Sequence, residues 1–141
     1  MSAAQLYTPE VLAAAVSLAD LPLTADLPLR GSARSSTCGS YLEIGLAVDD
    51  VNRIAKVGLA AHACAIGQAC AAIFAREAAG RTAGEVRDAR DAMATWLAGK
   101  SEIPDWPGLT LVAKARGYPA RHGAMMLAWD AACRALDEMT V

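Results

Sequence analysis

Between Lys56 and Arg76 the chain carries no charged residue. An uncharged run from Val57 to Ala75 is long enough to cross a bilayer, so it must end in lipid or in a protein interior. Its composition decides between the two. The run is mostly alanine and glycine and contains His62 and Gln68, a mixture that partitions poorly into hydrocarbon. It is expected to be buried protein, with no membrane association.

The rest of the composition fits one interior. The chain has 141 residues, 55% hydrophobic and only 5% aromatic, which suits one modest alanine-rich core and a single domain over 1–141. The 13 basic and 15 acidic residues leave a net charge of −2, with no block of like charge, so sequence-independent binding to nucleic acid is disfavoured. The start, MSAAQLYTPEVLAAAV, lacks a basic leader region and places Glu10 where an export signal becomes apolar, so a cytoplasmic location is expected, with Met1 loosely held. In that compartment Cys38, Cys64, Cys70 and Cys133 read as thiols, ligands or core fillers rather than disulfides.

Local patterns give the element order. Leu6, Val11, Leu12, Ala15, Val16 and Leu18 recur at helical spacing behind Thr8-Pro9-Glu10, predicting a short helix over about Tyr7 to Ala19. Pro22 and Pro28 turn the following stretch into a connector. From Gly31 to Leu59, alternation and β-branched residues predict two or three antiparallel strands, with Asp49-Asp50 as a hairpin turn and Cys38-Gly39-Ser40 in a loop. Helices are then expected over Ala65–Ala79 and Thr82–Leu97, the second opened by Thr82 and Glu85 at capping-box spacing. The short Gly80-Arg81 link predicts that these two pack as antiparallel neighbours. Residues 101–120 are broken by prolines and glycines and read as connector, with room for a helical turn around Leu109 to Ala113. Pro119 is expected to start a last helix, running to about Met139 with Met126, Trp129, Cys133 and Leu136 on its core stripe. The fold class is therefore α+β: a small three-stranded antiparallel sheet with a layer of helices on one face.

Three motifs stand in order: CGS at Cys38, AHACAIGQACAA around Cys64, and YPARHGAMMLAW opening the last helix. Together with the helix and strand order they resemble the U-type iron–sulfur cluster scaffold proteins, the IscU, SufU and NifU N-terminal family. That family carries a CGD loop, a GCAIS-type loop entering a helix, and a P-x-R-x-x-C-x-x-L-A-W-like helix start. The resemblance implies a site of three cysteines and one aspartate, since soft thiolates select iron–sulfur clusters and zinc. Cys38 and Cys64 match the first two cysteines. Ser40 stands at the aspartate, and aligning Pro119, Arg121, Leu127, Ala128 and Trp129 puts Ala124 at the third cysteine. Both are vacated ligand positions.

Helix geometry constrains the other donors. Cys133 lies nine residues beyond Ala124, about 900° of turn and roughly 13 Å along the axis, which points it to the opposite face. Cys70, six residues after Cys64, rises about 9 Å and is turned roughly 120° from it. Both read as core thiols. His122 is a candidate metal ligand only if the last helix starts late enough to leave its ring in the preceding turn. His62, two residues before Cys64, is a second candidate. Cys64 itself sits at a helix mouth, near the positive end of the dipole, where a thiol can accept sulfur or bind metal.

The resemblance implies an assembly scaffold that binds iron, zinc or a labile cluster through Cys38 and Cys64, with a cysteine desulfurase and other cluster-assembly proteins as partners. The alternative is an interaction module that keeps the fold and docks on that machinery without holding a cluster. No enzyme is expected, because the sequence has no GxSxG, HExxH, Walker loop or Rossmann fingerprint. The family's chaperone-recognition stretch has no counterpart in VAKARGYPARHG, so transfer by that chaperone is not expected.

Overall fold

The computed structural model describes residues 6–36 and 38–140; Met1 lies outside the described residues. Helix α1 (Pro9–Ser17) leads into strands β1 (Leu29–Arg34), β2 (Tyr41–Val48) and β3 (Ile54–His62), followed by α2 (Ala65–Ala78), α3 (Ala83–Leu97) and α4 (His122–Asp137). The strands form one antiparallel sheet in the order β1-β2-β3. The uncharged run from Val57 to Ala75 is divided at Cys64, its first part completing β3 and its second forming α2. No helix among the described residues is long and apolar enough to cross a membrane.

Local chemistry sets the boundaries. The Thr8 hydroxyl accepts a hydrogen bond from the Val11 N–H and Pro9 opens α1. Thr82 and Glu85 make the reciprocal capping box of α3. Between β2 and β3, Asp49 Oδ1 accepts from the N–H groups of Val51 and Arg53, and Asn52 takes a positive φ of 61°. The hairpin turn therefore extends past Asp49-Asp50, with the Asp49 carboxylate as its organiser.

One sheet face carries Leu42, Ile44 and Leu46 into the core, all fully buried. Helix α4 lies on β1 and β2 over this face, α2 contacts β3 and α4, α1 packs on α2, and α3 packs on α4. The approach of α4 depends on Gly31, where a Cβ would fall 2.1 Å from the Ala131 carbonyl oxygen. The other face is not bare. The connector crosses it at Gly45 and Gly58, seating the buried Leu27 in the space their missing side chains leave.

Three expectations need correction. Helices α2 and α3 are not packed neighbours, because their link is tied to the start of β3: Gly80 N–H donates to the Ile54 carbonyl and Ile54 N–H to the Arg81 carbonyl. With Gly80 at φ 85°, the chain turns across the strand end instead of doubling back. Residues Leu109–Gly117 form a longer 3₁₀ segment than one turn, anchored by buried Leu109, Val112 and Ala115. Pro119–Arg121 is a 3₁₀ turn, and the α-helix proper begins only at His122.

Candidate thiol groove

The loop between β1 and β2 is a closed turn. Ser35 N–H donates to the Ser40 carbonyl (2.8 Å) and Gly39 N–H to the Ser35 carbonyl (3.1 Å), while Arg34 and Tyr41 pair directly beyond it. Gly39 takes φ 70° with open space around its Cβ position, so backbone conformation rather than crowding calls for glycine here. The turn buries Ser35 and Ser40 and leaves Cys38 exposed between them.

Opposite this turn, β3 ends at His62 and α2 begins after Cys64, its N-cap residue. Gln68 N–H donates to the Cys64 carbonyl (2.9 Å) and Gln68 Nε2 to the Ala63 carbonyl (2.8 Å), fixing the strand-to-helix junction. An open groove of about 560 Å³ results. Cys38, Ser40, His62, Cys64, Gln68 and Arg121 are among the residues that line it. Cys38 and Cys64, 26 positions apart in sequence, thus share one surface feature.

Cys38 has a built environment. Its Sγ lies 3.4 Å from Ser35 Oγ and 3.0 Å from Ser40 Oγ. Hydrogen bonds from Ser35 and then Ser40, with the Arg121 charge as a smaller contribution, hold the thiol below its ordinary value and favour thiolate. Burial pushes the Cys70 and Cys133 thiols up, as expected of core fillers. All four cysteines are free.

The vacated positions differ in placement. Ser40 lines the groove and touches the Cys38 sulfur. Ala124 is buried, and its Cβ lies 3.2 Å from where a side chain on Gly67 would begin, one turn into α2. His122 is not brought to the groove, although α4 does start late. Its Nε2 lies 2.7 Å from the Arg116 carbonyl oxygen, and it lines a different groove with Leu97 and Met126. His62 does line the thiol groove. Two groove residues, Gln68 and Arg121, were not singled out as site residues from the sequence; the arginine of Pro119-Ala120-Arg121 was the available signal. Among the described residues, no three His, Cys, Asp or Glu side chains stand together as a ready metal site.

The sequence matches no protein-family profile and no curated protein. The fold does match solved structures. The N-terminal part of a nitrogen-fixing NifU-like protein from Brucella abortus superposes with a TM-score of 0.84 at 29% identity, over 94% of this chain and 95% of that one. A SufU from Fervidobacterium islandicum AW-1, described as an iron–sulfur cluster assembly scaffold protein for the SUF system, gives 0.80 at 17% identity, over 92% and 96%. In fold, coverage and the order of its three motifs the chain is similar to the U-type iron–sulfur cluster assembly scaffold proteins, and it keeps a reduced set of the residues that stand at their ligand positions.

Proposed function

We propose that the chain serves iron–sulfur cluster assembly as a non-catalytic scaffold homologue, a single domain that binds iron, zinc or a labile cluster through Cys38 and Cys64. The observation that carries this reading is the meeting of the two thiols on one open groove, with Cys38 held toward thiolate by Ser35 and Ser40. Thiolate is the metal-binding form of cysteine, and soft sulfur suits both iron and zinc.

The donor set limits what is held. A complete cluster site uses four protein ligands, and here the family's carboxylate position is a serine and its third thiol a buried alanine. The two thiols fit a metal ion or one edge of a cluster, with the remaining positions filled from outside the pair. Such a site gives up its cargo readily, in keeping with transfer to a recipient. A cysteine desulfurase is the partner chemistry that would supply sulfur to it.

Serine at the carboxylate position and a buried alanine at the third thiol position favour a second reading, in which the fold docks on assembly components and holds nothing. Anaerobic reconstitution with iron and sulfide, followed by absorption spectroscopy and metal analysis, separates the two. The scaffold reading expects bound metal that is lost in Cys38→Ser and Cys64→Ser. A colourless, metal-free product would eliminate the metal-binding scaffold and leave the docking module standing.

A further inference from the structure

The two histidines that were open as replacement ligands have different surroundings. His122 is engaged by the Arg116 carbonyl on a separate groove. His62 lines the thiol groove and is exposed. It is the last residue of β3 and pairs across the sheet with Tyr41, on whose ring it stacks with centroids 6.3 Å apart. The Arg34 guanidinium, from β1, lies 5.1 Å from the same Tyr41 ring. Arg34, Tyr41 and His62 thus form one row across all three strands at the end of the sheet that carries the groove. Neither His62 nitrogen hydrogen-bonds to another described residue.

Chain geometry keeps both thiols near this imidazole. Cys64 is two residues beyond His62, and Cys38 is three residues before Tyr41, which sits one strand spacing, about 4.8 Å, from His62. We infer that His62 is the third donor of the groove, making with Cys38 and Cys64 a Cys₂His set for zinc or a similar borderline divalent metal, with one coordination position open. The inference rests on the proposed metal binding by the two thiols. The three donors are not yet gathered in the metal-free arrangement. His62 joins them by turning its ring off the Tyr41 face, a rotamer change of an exposed side chain and not a movement of the strand. Two thiolates and one neutral imidazole form an ordinary zinc donor set, and three protein ligands leave room for an exchangeable fourth.

The test is titration of the full chain with cobalt(II) under anaerobic conditions, followed by zinc competition against a chelator. The parent is expected to show thiolate-to-cobalt charge-transfer bands and tetrahedral ligand-field bands. His62→Ala and the bulk-preserving His62→Gln should each weaken zinc binding on the order of a hundredfold, since a full zinc site shares its large binding energy among few ligands. His122→Ala should bind as the parent does. Unchanged zinc affinity in both His62 variants overturns this inference alone. Cobalt binding in the parent that is indifferent to Cys38→Ser and Cys64→Ser overturns the proposed function, and this inference with it.

Discussion

Ser40 Oγ stands 3.0 Å from Cys38 Sγ, so the residue at the family's aspartate position acts directly on the neighbouring thiol. Ser35 Oγ contacts the same sulfur at 3.4 Å. As a thiol, Cys38 can donate to Ser35; once ionised, it accepts from both hydroxyls, which favours the charged form. The Cys38 titration is therefore expected below the ordinary thiol value of 9.0. Ser35→Ala should raise the midpoint, Ser40→Ala should do so to a lesser extent, and the double variant should raise it most. At neutral pH each variant then holds less thiolate and alkylates more slowly. The check is the pH dependence of iodoacetamide modification in a background where Cys64 is serine. A midpoint that stays put in the double variant would show that the hydroxyls do not set the thiol's ionisation.

Packing of α4 on the sheet gives a second prediction. A Cβ on Gly31 would lie 2.1 Å from the Ala131 carbonyl oxygen and 2.7 Å from the Ala135 nitrogen, both helix backbone atoms that cannot rotate away. Gly31→Ala is expected to cost about 3 kcal/mol, the upper part of the usual overpacking range. By contrast, Gly39→Ala meets no neighbour, and its cost should come only from the positive φ, roughly 1 kcal/mol. Urea unfolding of both variants measures the difference, and equal losses would count against the close approach of α4 to β1.

The fold was legible where pattern and burial agree. Alternation in Tyr41–Val48 reflects a strand with one face in the core, and the Thr8 and Thr82 caps are local chemistry readable from adjacent residues. The relation of α2 to α3 was not legible, because two long-range backbone hydrogen bonds to Ile54 set the path of the link. The same holds for Leu27, which no periodicity marks as buried; it is held by the paired absence of side chains at Gly45 and Gly58. In the groove, the loop placement of Cys38 followed from Gly39, whereas the sorting of His62 from His122 depended on ring direction, which sequence spacing does not fix.

A third prediction concerns the connector that crosses the outer sheet face. Lys56 Nζ on β3 lies 2.6 Å from Asp26 Oδ2, and Thr24 donates to the other carboxylate oxygen. The Lys56 and Thr24 hydrogen bonds lower the Asp26 pKa from 3.8 to about 2. Because the folded value is depressed, the contribution is present above the unfolded value near 3.8 and is lost as pH falls through about 2. Both partners are exposed, so the effect on global stability should be small and sensitive to salt. Carboxylate NMR titration should place Asp26 well below the ordinary aspartate value of 3.8, and Lys56→Met should move it upward. An unchanged midpoint in that variant would show that the pair does not persist in solution.

The last prediction concerns Ala124. Arg121, the N-cap residue of α4 and three positions before Ala124, lines the groove, so Ala124 lies in the first turn of the helix that opens beside it. The Ala124 side chain also meets α2 at Gly67, one turn past Cys64. A thiol at this position is therefore expected to enter the site shared by Cys38 and Cys64. Ala124→Cys should strengthen zinc binding by a few kcal/mol, on the order of a hundredfold or more, because a structural zinc site draws roughly 10 kcal/mol or more from only four ligands. Ala124→Ser, nearly the same size but without a soft donor, separates this gain from any change in packing. Adding Ser40→Asp supplies the family's carboxylate beside Cys38 and should allow a cluster to assemble on reconstitution, one more labile than an all-cysteine cluster. It also removes a hydroxyl that favours the Cys38 thiolate, so the double variant should bind metal more weakly at low pH than Ala124→Cys alone. Competition against a chelator, followed from acidic to neutral pH, measures both effects. Zinc affinity equal in the parent, Ala124→Cys and the double variant would mean that the loops have moved apart from the family's geometry, and the docking-module reading would then stand.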